Sequence, residues 1–262
     1  MANKIICQPL GGLANRMRTV AGAIDLAQRL NRKLTVIWTC DETLNEQFSR
    51  LFAPIDGVEV VECRLTSLKY KLLWRYYKNV KRYKVLDDNF IIAHGKNTSE
   101  QWLNMLKDDN LYILSCQNAT LTEDFSMFVP SNDLHPSIEP GEDVIGIHIR
   151  RTDNEMSVKY SPTHLFVEKI EEEISTNPQA KFYLATDDPQ EENQLKERFG
   201  EHILTYQKQS LDRNDPQAIR DAAIDLFNLS RCKRIYGSYY SSFSDTAAYI
   251  GKTEKTVLKL PE

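Results

Sequence analysis

The chain has 262 residues, 41% of them hydrophobic, with 33 Lys and Arg against 37 Asp and Glu and a formal charge of -4. That length suits one large domain or two of ordinary size, and the apolar share is enough for a buried core. The slightly acidic balance gives no general electrostatic reason to bind nucleic acid, so any anion site must be local.

The N-terminus runs straight into Ile5-Ile6-Cys7 without the zones of a signal peptide, and no apolar run reaches membrane-spanning length; a cytoplasmic protein is the expectation. Ile5-Ile6-Cys7 reads as a first strand. Gly11-Gly12-Leu13-Ala14-Asn15-Arg16 follows as a turn into a helix, whose apolar residues keep helical spacing from Met17 to Leu30. Lys33 to Trp38 is a second strand, so the start of the chain is a βαβ unit and predicts a parallel sheet. The glycines let backbone N–H groups approach an anion at the helix start, though a tight turn explains them equally well.

Val58 to Cys63 reads as a third strand. Residues 64–86 interleave lysines and arginines with Tyr70, Trp74, Tyr76, Tyr77 and Tyr83. With Leu65, Leu68, Leu72, Tyr76, Val80 and Tyr83 near one helical face, the segment predicts an amphipathic helix with a solvated basic side. Its second reading is a patch for an anionic acceptor, a lipid phosphate or a membrane surface, through peripheral contact. Ile91-Ile92-Ala93 and Leu111 to Leu114 are strand candidates, with a helix from Ser99 to Leu106 between them. Five scattered cysteines show no metal-ligand spacing, and buried thiols are expected.

Val129 to Gly141 holds three prolines and a glycine among polar residues, which places a domain boundary there: residues 1–140 and 141–262. Val144 to Ile149 then reads as a buried strand that ends in Arg150-Arg151-Thr152-Asp153, at the sheet rim where ligands bind in open α/β folds. Adjacent arginines suit a phosphate or pyrophosphate, and they suit a solvated turn paired with Asp153 as well. Helices from about Pro162, Pro189, Pro216 and Ser244 alternate with strands at Lys181 to Ala185, His202 to Thr205, Lys233 to Tyr236 and Thr256 to Leu258. A second parallel α/β unit follows from this alternation, and two such domains would leave a cleft for a small molecule.

Three stretches together resemble the α1,6-fucosyltransferases, a group that includes the nodulation fucosyltransferases and is related to the protein O-fucosyltransferases. His148-Ile149-Arg150-Arg151-Thr152-Asp153 is similar to that family's HxRRTD motif. Tyr183 to Pro189 resembles its second motif, and Asp225 to Ser230 continuing to Gly237–Ser244 its third. The loop GGLANRMR resembles a GGLGNQ-type loop of related enzymes. The resemblance implies two Rossmann-like domains of the glycosyltransferase B type, with residues 1–140 on the acceptor side and 141–262 holding the nucleotide sugar. It implies inverting, metal-independent transfer of L-fucose from GDP-fucose to a glycan hydroxyl, with no further cofactor.

Carried over by position, Arg150 would bind the β-phosphate and stabilise the leaving diphosphate, and His148 would lie beside the nucleotide. Arg151 and Asp153 would orient the loop, Asp187 and Asp188 would structure the site, and Asp225 would accept from guanine, whose edge offers an N–H and an amine that one carboxylate can take together. Ser238, Ser242, Phe243 and Ser244, with Gly12 and Asn15 of the first loop, would line the sugar-donor site. On its helix Asp225 shares a polar face with Asp221 and Asn228, which simple exposure also explains; Asp188 before Pro189 equally fits a helix cap. The family's Lys after the motif's Asp is replaced by Asn154, and its later Glu is missing, so Glu155 is the nearest carboxylate for a general base or else an exposed residue. Another nucleotide sugar as donor, or a nucleotide-binding module without catalysis, stays open.

Overall fold

The computed structural model describes residues 4–77, 83–94, 100–152, 154–210, 212 and 214–261. The first half runs β1 (Lys4–Pro9), α1 (Leu13–Arg29), β2 (Lys33–Cys40), α2 (Phe48–Leu51), β3 (Val58–Arg64), α3 (Leu68–Arg75), β4 (Lys84–Asp87), α4 (Asp88–His94), α5 (Glu100–Leu106) and β5 (Leu111–Ser115). The second runs β6 (Val144–Ile149), α6 (Glu155–Tyr160), α7 (Thr163–Thr176), β7 (Lys181–Thr186), α8 (Pro189–Phe199), β8 (Ile203–Leu204), α9 (Pro216–Arg231), β9 (Arg234–Ser238), α10 (Ser242–Gly251) and β10 (Glu254–Leu258).

The strands form two parallel sheets, ordered β3-β2-β1-β5-β4 and β10-β9-β6-β7-β8. The chain divides into two compact units, Met1–Leu134 with Asp212–Arg220 and His135–Leu211 with Asp221–Glu262. Neither unit is therefore one continuous segment.

In the second sheet β6 is central and buried on both faces, which is why its sequence reads as an unbroken apolar run. Its side chains alternate. Ile145, Ile147 and Ile149 join Phe166 and Ile170 of α7 in one core cluster. Gly146 faces the other way, where an added Cβ would lie 3.1 Å from Leu229 and 3.3 Å from Cys232 around α9. His148, two residues on, points to that same side. The register sets His148 beside Ala185 of β7 and Gly237 of β9, so the loops after all three strands leave the sheet at one level.

Several local expectations are corrected. Ile91-Ile92-Ala93 is helical, inside α4, and the strand precedes it as β4. The reason is a cap: the Phe90 N–H donates to Asp87 Oδ1 at 2.8 Å and starts the helix before the β-branched pair is reached. Among the described residues of 64–86, Leu68–Arg75 and the two residues after it are helical and β4 starts at Lys84, while Val80 lies outside the described residues. The buried side of α3 is not the expected one: Tyr70, Trp74 and Tyr77 pack against Ile6, Ile37 and Tyr112, whereas Leu68 and Leu72 are 71% and 59% exposed. All five thiols are free, with Cys7 and Cys232 buried and Cys40, Cys63 and Cys116 half-buried.

Candidate functional site

Numbered within itself, the second sheet has the order 5-4-1-2-3, so successive crossovers run outward in opposite directions from β6 and β9. In an open α/β sheet the crevice at the carboxyl ends of such a strand pair is where ligands bind. The loops that meet there carry Arg150 after β6 and Tyr239 to Ser241 after β9.

Arg150 is fixed from both sides. Its backbone N–H donates to Ser238 Oγ at 3.0 Å, and its Nε lies 3.2 Å from Asp187 Oδ2, with about a quarter of the side chain exposed. Asp187, at the end of β7, organises the loop: it accepts from the Arg151 N–H at 2.7 Å, the Thr152 N–H at 3.3 Å and the Thr152 hydroxyl at 2.7 Å. Burial pushes its carboxyl up, but the Arg150 guanidinium and the Thr152 and Arg151 hydrogen bonds outweigh that and hold it below the ordinary value.

The two arginines do different work. Arg151 turns back into the fold, with Nε 3.3 Å from Glu191, an N–H to the Thr163 hydroxyl at 3.1 Å and its guanidinium over the Phe166 ring. Asp188 caps α8, accepting from the Gln190 N–H at 2.8 Å. Asp153 lies outside the described residues. Asn154 caps α6 through Ser157 and also donates to the Tyr240 carbonyl at 2.9 Å, so the β6 and β9 loops are tied together. Glu155 is exposed in the first turn of that helix.

Ser238 and Ser244 are fully buried, and the Ser238 hydroxyl is engaged with the β6 backbone. Ser242 and Phe243 are half-buried at the start of α10, where Ser241 makes no side-chain cap. The first N–H groups of a helix have no intrahelical acceptor, and they favour an anion. His148 stacks on Phe243 with ring centroids 5.0 Å apart. Burial, followed by the nearby Arg150 charge, drives its imidazole down to about 3, so the ring is neutral. Tyr240, 70% exposed, holds φ at 57° between β9 and α10, a conformation uncommon for a side-chain-bearing residue.

Asp225 is not on an exposed face: it, Asp221 and Asn228 are all buried. It accepts from the Tyr183 hydroxyl at 2.6 Å, and Lys208 Nζ lies 3.0 Å from its other oxygen and 3.6 Å from Glu192. Burial raises its carboxyl to about 6, against the pull of Lys208 and Tyr183. Lys208 went unnoticed in the sequence because Thr205 to Leu211 has no periodic signal to mark it.

In the first unit Gly11 has φ of +79° and requires glycine, whereas Gly12 is extended with open space around it. Arg16 is fully buried and closes the loop, bonding the Gly11 carbonyl at 2.7 Å and Asp41 at 2.7 Å. Asn15 is half-buried in the first turn of α1. A cleft of about 540 Å³ opens at the carboxyl ends of β2 and β3, with Glu46, Arg50, Glu62, Arg64 and Arg220 among its lining residues. Sequence reading missed it because its side chains come from four separate segments. Among the described residues no group of three or more His, Cys, Asp or Glu is placed to hold a metal ion.

No protein-family model and no curated protein matches the chain. Solved structures do. A NodZ alpha-1,6-fucosyltransferase soaked with GDP-fucose is 19% identical and matches over 95% of this chain and 92% of that one, with a TM-score of 0.64. Fucosyltransferase NodZ from Bradyrhizobium is 18% identical over 94% and 92%, with a TM-score of 0.60. POFUT1 in complex with GDP is 12% identical over 98% and 99%, with a TM-score of 0.58. The likeness is one of architecture, and its conclusion is that this chain has the two-sheet α/β fold of these fucosyltransferases, resembling the glycosyltransferase B type.

Proposed function

We propose that the protein is an inverting glycosyltransferase that moves L-fucose from GDP-fucose to a glycan hydroxyl. The observation that supports this best is Arg150, anchored by Asp187 and Ser238 at the strand-order switch of a sheet whose β9 leads into the first turn of α10. GDP-fucose or GDP is named as the ligand in structures of the same fold, NodZ and POFUT1.

In this reading the pyrophosphate sits between the Arg150 guanidinium and the first turn of α10, beside Ser242 and Phe243. The acceptor hydroxyl attacks the anomeric carbon from the side opposite GDP, and negative charge gathers on the leaving diphosphate. Arg150 stabilises that charge, and no metal step is invoked. Asp225, whose two oxygens already hold Tyr183 and Lys208, would accept from the guanine N1–H and amine through its remaining lone pairs, with Lys208 set toward O6. An adenine would bring its amino group against the ammonium instead. Glu155 is the candidate base, and the polar cleft at β2 and β3 suits a hydroxyl-rich acceptor.

Calorimetry with GDP, UDP and ADP tests the nucleotide, with GDP expected to bind tightest. Incubating GDP-fucose with a glycan array tests the transfer, with GDP released and fucose attached. Preference for UDP refutes the sugar donor. Tight GDP binding without turnover marks a module that holds the nucleotide but does not transfer, a reading favoured by the use of Asn154 as a helix cap.

A further inference from the structure

Residues 64–86 contain eight lysines and arginines and no aspartate or glutamate, in a chain whose net charge is -4. Its described helix, α3, has two unlike sides. Ser67 caps α3, accepting from the Tyr70 N–H at 3.2 Å. Tyr70, Trp74 and Tyr77, spaced one helical turn apart, then lie on the first sheet against Ile6, Ile37 and Tyr112, and the Tyr70 hydroxyl accepts from Gln8 at 3.1 Å. Those aromatic contacts hold the helix down. They leave Leu68, Leu72 and Tyr76, also one turn apart, at 71%, 59% and 43% exposed. Lys69, Lys71 and Arg75 flank that stripe and are themselves exposed.

We infer that this face of α3 binds the surface of an anionic phospholipid bilayer. A row of outward leucines ringed by cations is what the boundary between headgroups and acyl chains accommodates, since it takes hydrocarbon and positive charge together. A nucleic-acid backbone would use the cations and leave both leucines in water. No helix of the described residues is long and apolar enough to cross a membrane, so the contact is peripheral. The inference concerns the first unit alone and stands independently of the nucleotide proposed for the second.

The test is co-sedimentation of the full chain with phosphatidylcholine vesicles prepared with and without phosphatidylglycerol. Binding is expected to the anionic vesicles only and to weaken as salt is raised. A Lys69→Gln, Lys71→Gln, Arg75→Gln variant should lose about a hundredfold in affinity, at roughly fivefold per cation. A Leu68→Ser, Leu72→Ser variant should lose about tenfold or more and keep that deficit at high salt. Both variants change exposed positions, so circular dichroism should show an unaltered fold. No binding to anionic vesicles, or equal binding by the leucine variant, overturns the inference. So does tighter binding to duplex DNA than to vesicles, or a self-association that the leucine variant abolishes while vesicles have no effect.

Discussion

Lowering the pH from 7 to 5 is expected to weaken GDP-fucose binding about tenfold. The side chain responsible is Asp225, whose carboxyl is raised to about 6 by burial. To accept from guanine it must be ionised, and at one pH unit below that value only about a tenth of the unliganded protein is, against about nine-tenths one unit above. Apparent affinity follows that fraction. Tyr183 and His148 do not titrate in this window, because the Tyr183 hydroxyl is pushed upward and the His148 imidazole is held down at about 3. GDP-fucose is the ligand to use, since its pyrophosphate is esterified at both ends whereas a terminal phosphate such as that of GDP ionises near about 6. Asp225→Asn should give a flat profile and bind about 2 kcal/mol more weakly at neutral pH, having lost a charged acceptor. Stability should move in the opposite direction to affinity. The folded-state value lies above the ordinary 3.8, so this group's contribution is fully present below about pH 4 and is lost as pH rises through about 6, at a cost of about 3 kcal/mol. Calorimetric titration at closely spaced pH values reads the affinity. A wild-type profile flat from pH 5 to 7, or an Asn variant with the wild-type slope, would refute the assignment.

Arg150→Ala should lower turnover about a hundredfold or more and weaken binding of the nucleotide sugar, with the circular dichroism spectrum unchanged; full activity would remove it from the mechanism. The neighbouring carboxylates should separate cleanly: Asp187→Ala leaves several hydrogen-bond donors without their acceptor and should cost about 2–3 kcal/mol in urea unfolding together with nucleotide affinity. Asp188→Ala should cost about 1 kcal/mol, the loss of a helix cap, and leave affinity intact. Glu155→Gln should reduce kcat at unchanged GDP affinity if it takes the acceptor's proton, and an unchanged kcat assigns the base elsewhere. Arg64→Ala should raise the acceptor KM in steady-state kinetics without changing that for GDP-fucose, because it lines the polar cleft of the first unit.

The second sheet was legible in the sequence because its strands are short, largely apolar runs separated by helices of clear period, and β6 ends where charge replaces apolar residues. The first half was less so. Ile91-Ile92-Ala93 has the composition of a strand, but Asp87 caps a helix just before it, and local hydrogen bonding prevailed over side-chain preference. On α3 the spacing puts the leucines on one apolar face; the structure buries Tyr70, Trp74 and Tyr77 instead, with the Tyr70 hydroxyl keeping Gln8 as a polar partner. At the site, the motif positions alone could not show that Arg151 braces the loop or that Asp225 is buried. Lys208 and the cleft at β2 and β3 depend on which distant segments meet, and periodicity does not encode that.

The stacking of His148 on Phe243 has a consequence for how the molecule would sense acidity. Histidine is usually the side chain that registers a drop from neutrality. Here it remains uncharged throughout that range, a flat plate beside Arg150, and would leave the field at the proposed phosphate site constant. In the proposed donor complex the response would pass to Asp225, so mild acid would loosen the hold on the base while the hold on the phosphates persists.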